Sequence, residues 1–187
     1  MCGVDAGQQM KHYRIADEGG FYYISAINLF FLDKLVDQFV YSTDDLLEAA
    51  AKDLGSTYDE VFETMIKSVT EAANASLDVA VKKRQDIIWD QTNLGAKKRR
   101  KIINRMRQAG YQVRCNCIVP PEAGHFDDLK VWKRRLENRP GKTIPQHVLS
   151  NMWESYVEPS IEEGFDAITY YNMHGALIAI NYDTDDR

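Results

Sequence analysis

YSTDDLLEAA, residues 41–50, decides how the rest of the chain is read. Phe39, Val40 and Tyr41 make a short apolar strand ahead of it. Ser42, Thr43, Asp44 and Asp45 are all good helix N-cap types, and an apolar helical pattern runs from there to Gly55. A strand that ends in polar residues and turns directly into a helix is the repeating unit of an α/β sheet. The carboxylate pair Asp44-Asp45 therefore has two readings. It caps a helix, or it sits at a strand end where ligands bind.

The same unit recurs. The stretch DIIWD (86–90) reads as an apolar strand, followed by the polar residues Gln91, Thr92 and Asn93. LGAKKRRKIINRMRQAG (94–110) then reads as a basic helix with Ile102, Ile103 and Met106 inward and Gly110 at its C-cap. Between the two units, residues 57–84 carry the strongest helical signal, an apolar stripe from Tyr58 to Ala80. Further on, YQVRCNCIV (111–119) is a strand closed by Pro120-Pro121, and a helix covers about 125–137. Pro145 opens another helix, and FDAITYYN and ALIAINYD are two last strands. From residue 40 onward this alternation predicts a parallel sheet flanked by helices. Asp44 and Asp45 then follow one strand and Asp90, Thr92 and Asn93 the next, so both clusters point at one crevice.

Composition narrows the classes. The chain has 187 residues, 44% apolar and 27% charged, which suits one α/β domain, or one with an appendage. The net charge of −5 means that any polyanion site is a local patch. No apolar run reaches membrane-spanning length, and no signal peptide opens the chain. The three cysteines argue for reduced thiols and a cytoplasmic setting. Cys115-x-Cys117 has the wrong spacing for a paired-cysteine zinc site, so no metal site is expected from it.

Four ordered stretches, YSTDDLLE, IIWDQTNLGAKKRRKI, RRLENRPGKTIP and EPSIEEGFDAI, together resemble P-loop kinases of the phage polynucleotide 5′-hydroxyl kinase type. The resemblance covers about residues 40–172. It implies ATP-dependent phosphoryl transfer, with magnesium, to a polynucleotide 5′-hydroxyl or a related small acceptor. It makes Asp44 the general base, with Arg135 and Arg139 as lid arginines on the donor phosphates. It puts Asp45, Asp90, Thr92 and Asn93 near the acceptor, and Lys97, Lys98, Arg99, Arg100, Lys101, Arg105 and Arg107 on its backbone phosphates. The plainer readings stay open: a capped helix, a turn aspartate, a solvated basic face, and arginines paired to neighbours such as Glu137.

The family's phosphate-binding loop, G-x-x-x-x-G-K-[ST], is not found in residues 1–43, and RPGKTIP (139–145) lacks a preceding strand. Without that loop, triphosphate affinity is expected to fall severely, and the sheet loses its first strand unless residues 20–30 fill the gap. About residues 10–39 instead resemble the second half of an SH2 domain: strand, turn, strand, then a helix in FLDKLVDQF (31–39). That resemblance implies a phosphotyrosine pocket with His12 and Arg14. The resulting division is a segment 1–39 and a kinase-like domain 40–187. The alternatives to catalysis are a non-catalytic module for nucleic acid or a phosphorylated partner, and a phosphopeptide reader.

Overall fold

The computed structural model describes residues 27–32, 38–119, 134, 144–172 and 174–183. Among these residues six strands form one sheet: β1 (Ile27–Leu32), β2 (Gln38–Tyr41), β3 (Asp86–Trp89), β4 (Gln112–Ile118), β5 (Ala167–Tyr171) and β6 (Leu177–Tyr182). The helices are α1 (Thr43–Leu54), α2 (Tyr58–Lys82), α3 (Ala96–Gln108) and α4 (Gln146–Glu154), with a 3-10 turn at Ile161–Glu163.

Local chemistry sets these boundaries. Ser42 takes the Asp45 N–H on its hydroxyl to start α1, and Gly55 ends that helix in the left-handed region at φ 64°. Thr57 and Glu60 exchange hydrogen bonds at the start of α2, a reciprocal cap. β3 is buried along its whole length, as an interior strand between two neighbours. β4 alternates, burying Val113, Cys115 and Cys117.

The sheet order is β2-β3-β1-β4-β5-β6. β2 pairs parallel with β3, and β4 with β5. β1 runs antiparallel to both of its neighbours, with Leu29 opposite Trp89 on one side and Cys115 on the other. β6 returns antiparallel to β5. Four strands therefore share one direction, and the expected parallel sheet is in fact mixed.

This corrects the reading of residues 31–39 as a helix. Phe31 and Leu32 lie in β1, and Gln38 and Phe39 in β2. The gap at the centre of the sheet explains the outcome: unpaired amides on β3 and β4 take up the nearest apolar, aromatic run, INLFFL. Residue 39, where the sequence reading divides the chain, lies inside β2. The rest of the SH2-like segment lies outside the described residues, as does the helix expected over 125–137 except for Arg134, which is helical.

One core fills the space between sheet and helices, centred on Leu77, Ile87, Ile103, Met106, Val113, Cys115, Phe165 and Ile168. A smaller cluster of Leu47, Ala51, Val61 and Val69 joins α1 to α2. The α2 stripe buries Val61, Val69, Ala73, Leu77 and Ala80, while Phe62 stays exposed.

Candidate functional site

The carboxyl ends of β2 and β3 lie side by side, and the two polar clusters meet there. The Asp90 N–H donates to the Tyr41 carbonyl at 2.9 Å, which carries the ladder one residue past β3. Behind it the Tyr41 and Trp89 rings stack, with centroids 4.0 Å apart. Burial pushes the Tyr41 phenol above its ordinary range, and its hydroxyl donates to Asn74 Oδ1 at 3.1 Å.

α1 leaves this edge with Thr43 buried and Asp44 and Asp45 exposed in its first turn. The two residues make different bonds. The Asp45 amide is the one that Ser42 caps, at 3.1 Å. Asp44 accepts a 2.7 Å hydrogen bond from the Tyr58 hydroxyl at the start of α2. Both charges also face the positive end of the helix, where carboxylates are favoured.

A hydrogen-bonded chain crosses from α1 to α3. Gln91 Nε2 donates to Thr43 Oγ1 at 3.2 Å, and Lys98 Nζ donates to Gln91 Oε1 at 3.0 Å. Desolvation lowers the Lys98 ammonium below its usual range. Asn93 is buried, with a left-handed backbone at φ 45°, and donates from Nδ2 to the Gln91 carbonyl at 2.9 Å. Thr92 is exposed between them.

The basic run on α3 separates into distinct groups. Lys97, Arg100 and Lys101 are exposed. Arg105 pairs with Asp78 at 2.6 Å and Arg107 with Asp166 at 2.8 Å. Arg99 must be removed from the phosphate-contacting set, because it is fully buried and paired with Glu163 at 2.5 Å. Its heptad-like position among Ile102, Ile103 and Met106 was the available signal. Sequence reading also missed Tyr58 and Glu163, whose partners lie 14 and 64 residues away. Arg135, Arg139, His12 and Arg14 lie outside the described residues. Among the described residues, no cluster of His, Cys, Asp or Glu could hold a metal ion, and no helix is long and apolar enough to cross a membrane.

The donor side is different. A P-loop domain holds the triphosphate in the turn that leaves the carboxyl end of its central strand and enters a helix. Here the central strand, β1, begins at that edge: Ile27 pairs with Cys117 and Leu32 with Gln112. Its carboxyl end is at the opposite edge of the sheet. The described residues therefore contain no cradle for ATP and magnesium, and these groups do not fit the site they form.

A family model described as an AAA domain matches residues 31–159. No solved structure matches the chain.

Proposed function

Since this chain belongs to the AAA-domain family, whose fold is P-loop kinase-like and whose activity is in general nucleotide-dependent and kinase-like, we propose that it serves as the acceptor-binding half of such a kinase, binding a nucleic-acid 5′-hydroxyl end without transferring phosphate from ATP. One observation carries the reading: the Thr43–Gln91–Lys98 hydrogen-bonded chain, with Asp44 next in sequence to Thr43 and bonded to Tyr58, stands at the carboxyl edge, where β1 enters instead of leaving. Among the described residues the acceptor groups are present and a donor cradle is not.

The chemistry is that of orientation. Asp44 accepts the hydrogen bond of an acceptor hydroxyl, the position a general base occupies in a complete kinase. Lys97, Lys98, Arg100 and Lys101 on α3 take the backbone phosphates that follow it. The described parts of α1 and α2 instead carry the exposed acidic residues Asp44, Asp45, Asp59, Glu60 and Glu63. That asymmetry favours an uncharged hydroxyl terminus on the α1 side and phosphates on the α3 side. Small hydroxyl acceptors use only the first half of this arrangement, so an oligonucleotide is the better fit.

Fluorescence anisotropy with single-stranded oligonucleotides tests this, beside calorimetric titration with magnesium-ATP. Binding should weaken steeply with salt, prefer a 5′-hydroxyl to a 5′-phosphate end, and occur without measurable heat from ATP. Equal affinity for both ends would remove the acceptor reading. Micromolar ATP binding with transfer to the oligonucleotide end would restore the complete phosphotransferase, with Arg135 and Arg139 as its lid.

A further inference from the structure

Arg99 is the largest fully buried side chain in the described structure, on a helix otherwise rich in surface charge. Its guanidinium is divided among three segments. Nε and Nη2 donate to the two carboxylate oxygens of Glu163, at 2.9 and 2.5 Å. Nη1 donates to the carbonyls of Asn93 at 3.1 Å and Leu94 at 2.8 Å. Nη2 also reaches the Glu158 carbonyl at 3.5 Å. Glu163 is itself held, accepting the Ser160 N–H at 3.2 Å. The Val157 N–H donates to Leu94 O at 3.0 Å, tying the same two stretches together.

We propose that Arg99 and Glu163 form a positioning pair that sets the acceptor loop 90–95 and couples it to residues 157–164. The inference rests on the acceptor reading above. A buried ion pair is weak grounds for stability, because apolar residues of similar volume often serve as well. What an apolar pair cannot do is hold two successive carbonyls of a loop. Those carbonyls belong to Asn93, whose left-handed backbone is unfavourable for a side chain with a Cβ, and to its neighbour. Asn93 in turn holds the Gln91 carbonyl, and Gln91 joins Thr43 to Lys98. A shift of Arg99 therefore moves the groups that face the acceptor, although Arg99 touches no acceptor itself.

The test compares wild type, Arg99→Lys, Glu163→Gln, the double variant Arg99→Met/Glu163→Leu, and Lys97→Ala as a surface control. Three quantities are read: thermal unfolding, hydrogen exchange at amides 91–95, and affinity for a 5′-hydroxyl oligonucleotide. The double variant should fold, exchange faster at 91–95, and bind about tenfold more weakly, the scale of one charge-assisted hydrogen bond. Lys97→Ala should weaken binding with exchange unchanged. If the double variant does not fold, Arg99→Lys answers the question, since a lysine cannot span the carboxylate and both carbonyls. A folded variant with wild-type exchange and affinity overturns the pair's role. Faster exchange with a wild type that binds no oligonucleotide supports the clamp and removes the acceptor reading.

Discussion

The Tyr58 hydroxyl donates a 2.7 Å hydrogen bond to Asp44 Oδ1, joining the first residue of α2 to the first turn of α1. An ionised carboxylate accepts several hydrogen bonds, and this one orients Asp44 at the start of α1. Asp44→Asn should lower oligonucleotide affinity about tenfold, and stability by no more than about 1 kcal/mol, the size of a first-turn charge effect. Tyr58→Phe should have a smaller effect on affinity, since it removes orientation and not charge. Anisotropy and urea unfolding of the two variants separate these effects. Unchanged affinity in Asp44→Asn would take the residue out of the site.

Two helix-ending glycines give a graded test of packing. Gly55 has φ 64° and open space around a Cβ built on it. Gly164 has φ 105°, and its Cβ would lie 3.2 Å from Ile103 Cγ2, a fully buried atom group. Gly55→Ala should cost about 1 kcal/mol, the conformational penalty alone. Gly164→Ala should cost more, roughly 2–4 kcal/mol, because strain and overpacking add. Urea unfolding measures both, and equal costs would mean that Ile103 yields easily.

The thiols of β4 predict an alkaline limb in stability. Burial holds the Cys117 thiol up at about 11 and pushes Cys115 higher than its ordinary range as well. An unfolded thiol ionises near pH 8.5, so the folded chain keeps its proton where the unfolded chain loses it. Stability from this source is whole below about pH 8.5 and falls as pH rises toward about 11. Cys117→Ala should flatten that fall. Both thiols should also resist iodoacetamide at about pH 8 in the native state and react after unfolding, which peptide mass analysis reads.

What was legible in the sequence was what local chemistry dictates. The Ser42 cap, the Gly55 stop, the apolar DIIW strand and the pairing of the β2 and β3 ends, where the Asp90 N–H meets the Tyr41 carbonyl, all follow from neighbours within a few residues and from the parallel alternation. What was not legible was set by distant partners. Phe31, Leu32, Leu35, Val36 and Phe39 share a helical spacing, yet the vacancy between β3 and β4 turns Phe31 and Leu32 into a strand. Arg99 looked like one cation in a run until Glu163 drew it inside. Tertiary pairing overrode local pattern in both cases.

The direction of β1 is the point on which the functional reading turns, and proline tests it. In a central strand every amide faces a partner, so a proline removes a ladder bond and cannot be accommodated. Leu29 pairs across to both Trp89 and Cys115. Leu29→Pro should therefore cost about 3 kcal/mol or more and broaden or abolish cooperative unfolding. Ile178→Pro is the control. Ile178 is exposed on the edge strand β6, beside the irregularity at Tyr170 and Tyr171, where Leu177 and Ala179 are the paired residues. Proline is tolerated at edges and bulges, so this change should cost no more than about 1–2 kcal/mol. Circular dichroism during urea unfolding reads both. A large loss for Leu29→Pro with a small one for Ile178→Pro makes β1 integral to the sheet and leaves the donor edge closed by it. Equal and small losses would mean that β1 does not lie between β3 and β4, and the centre of the carboxyl edge would again be open to a phosphate.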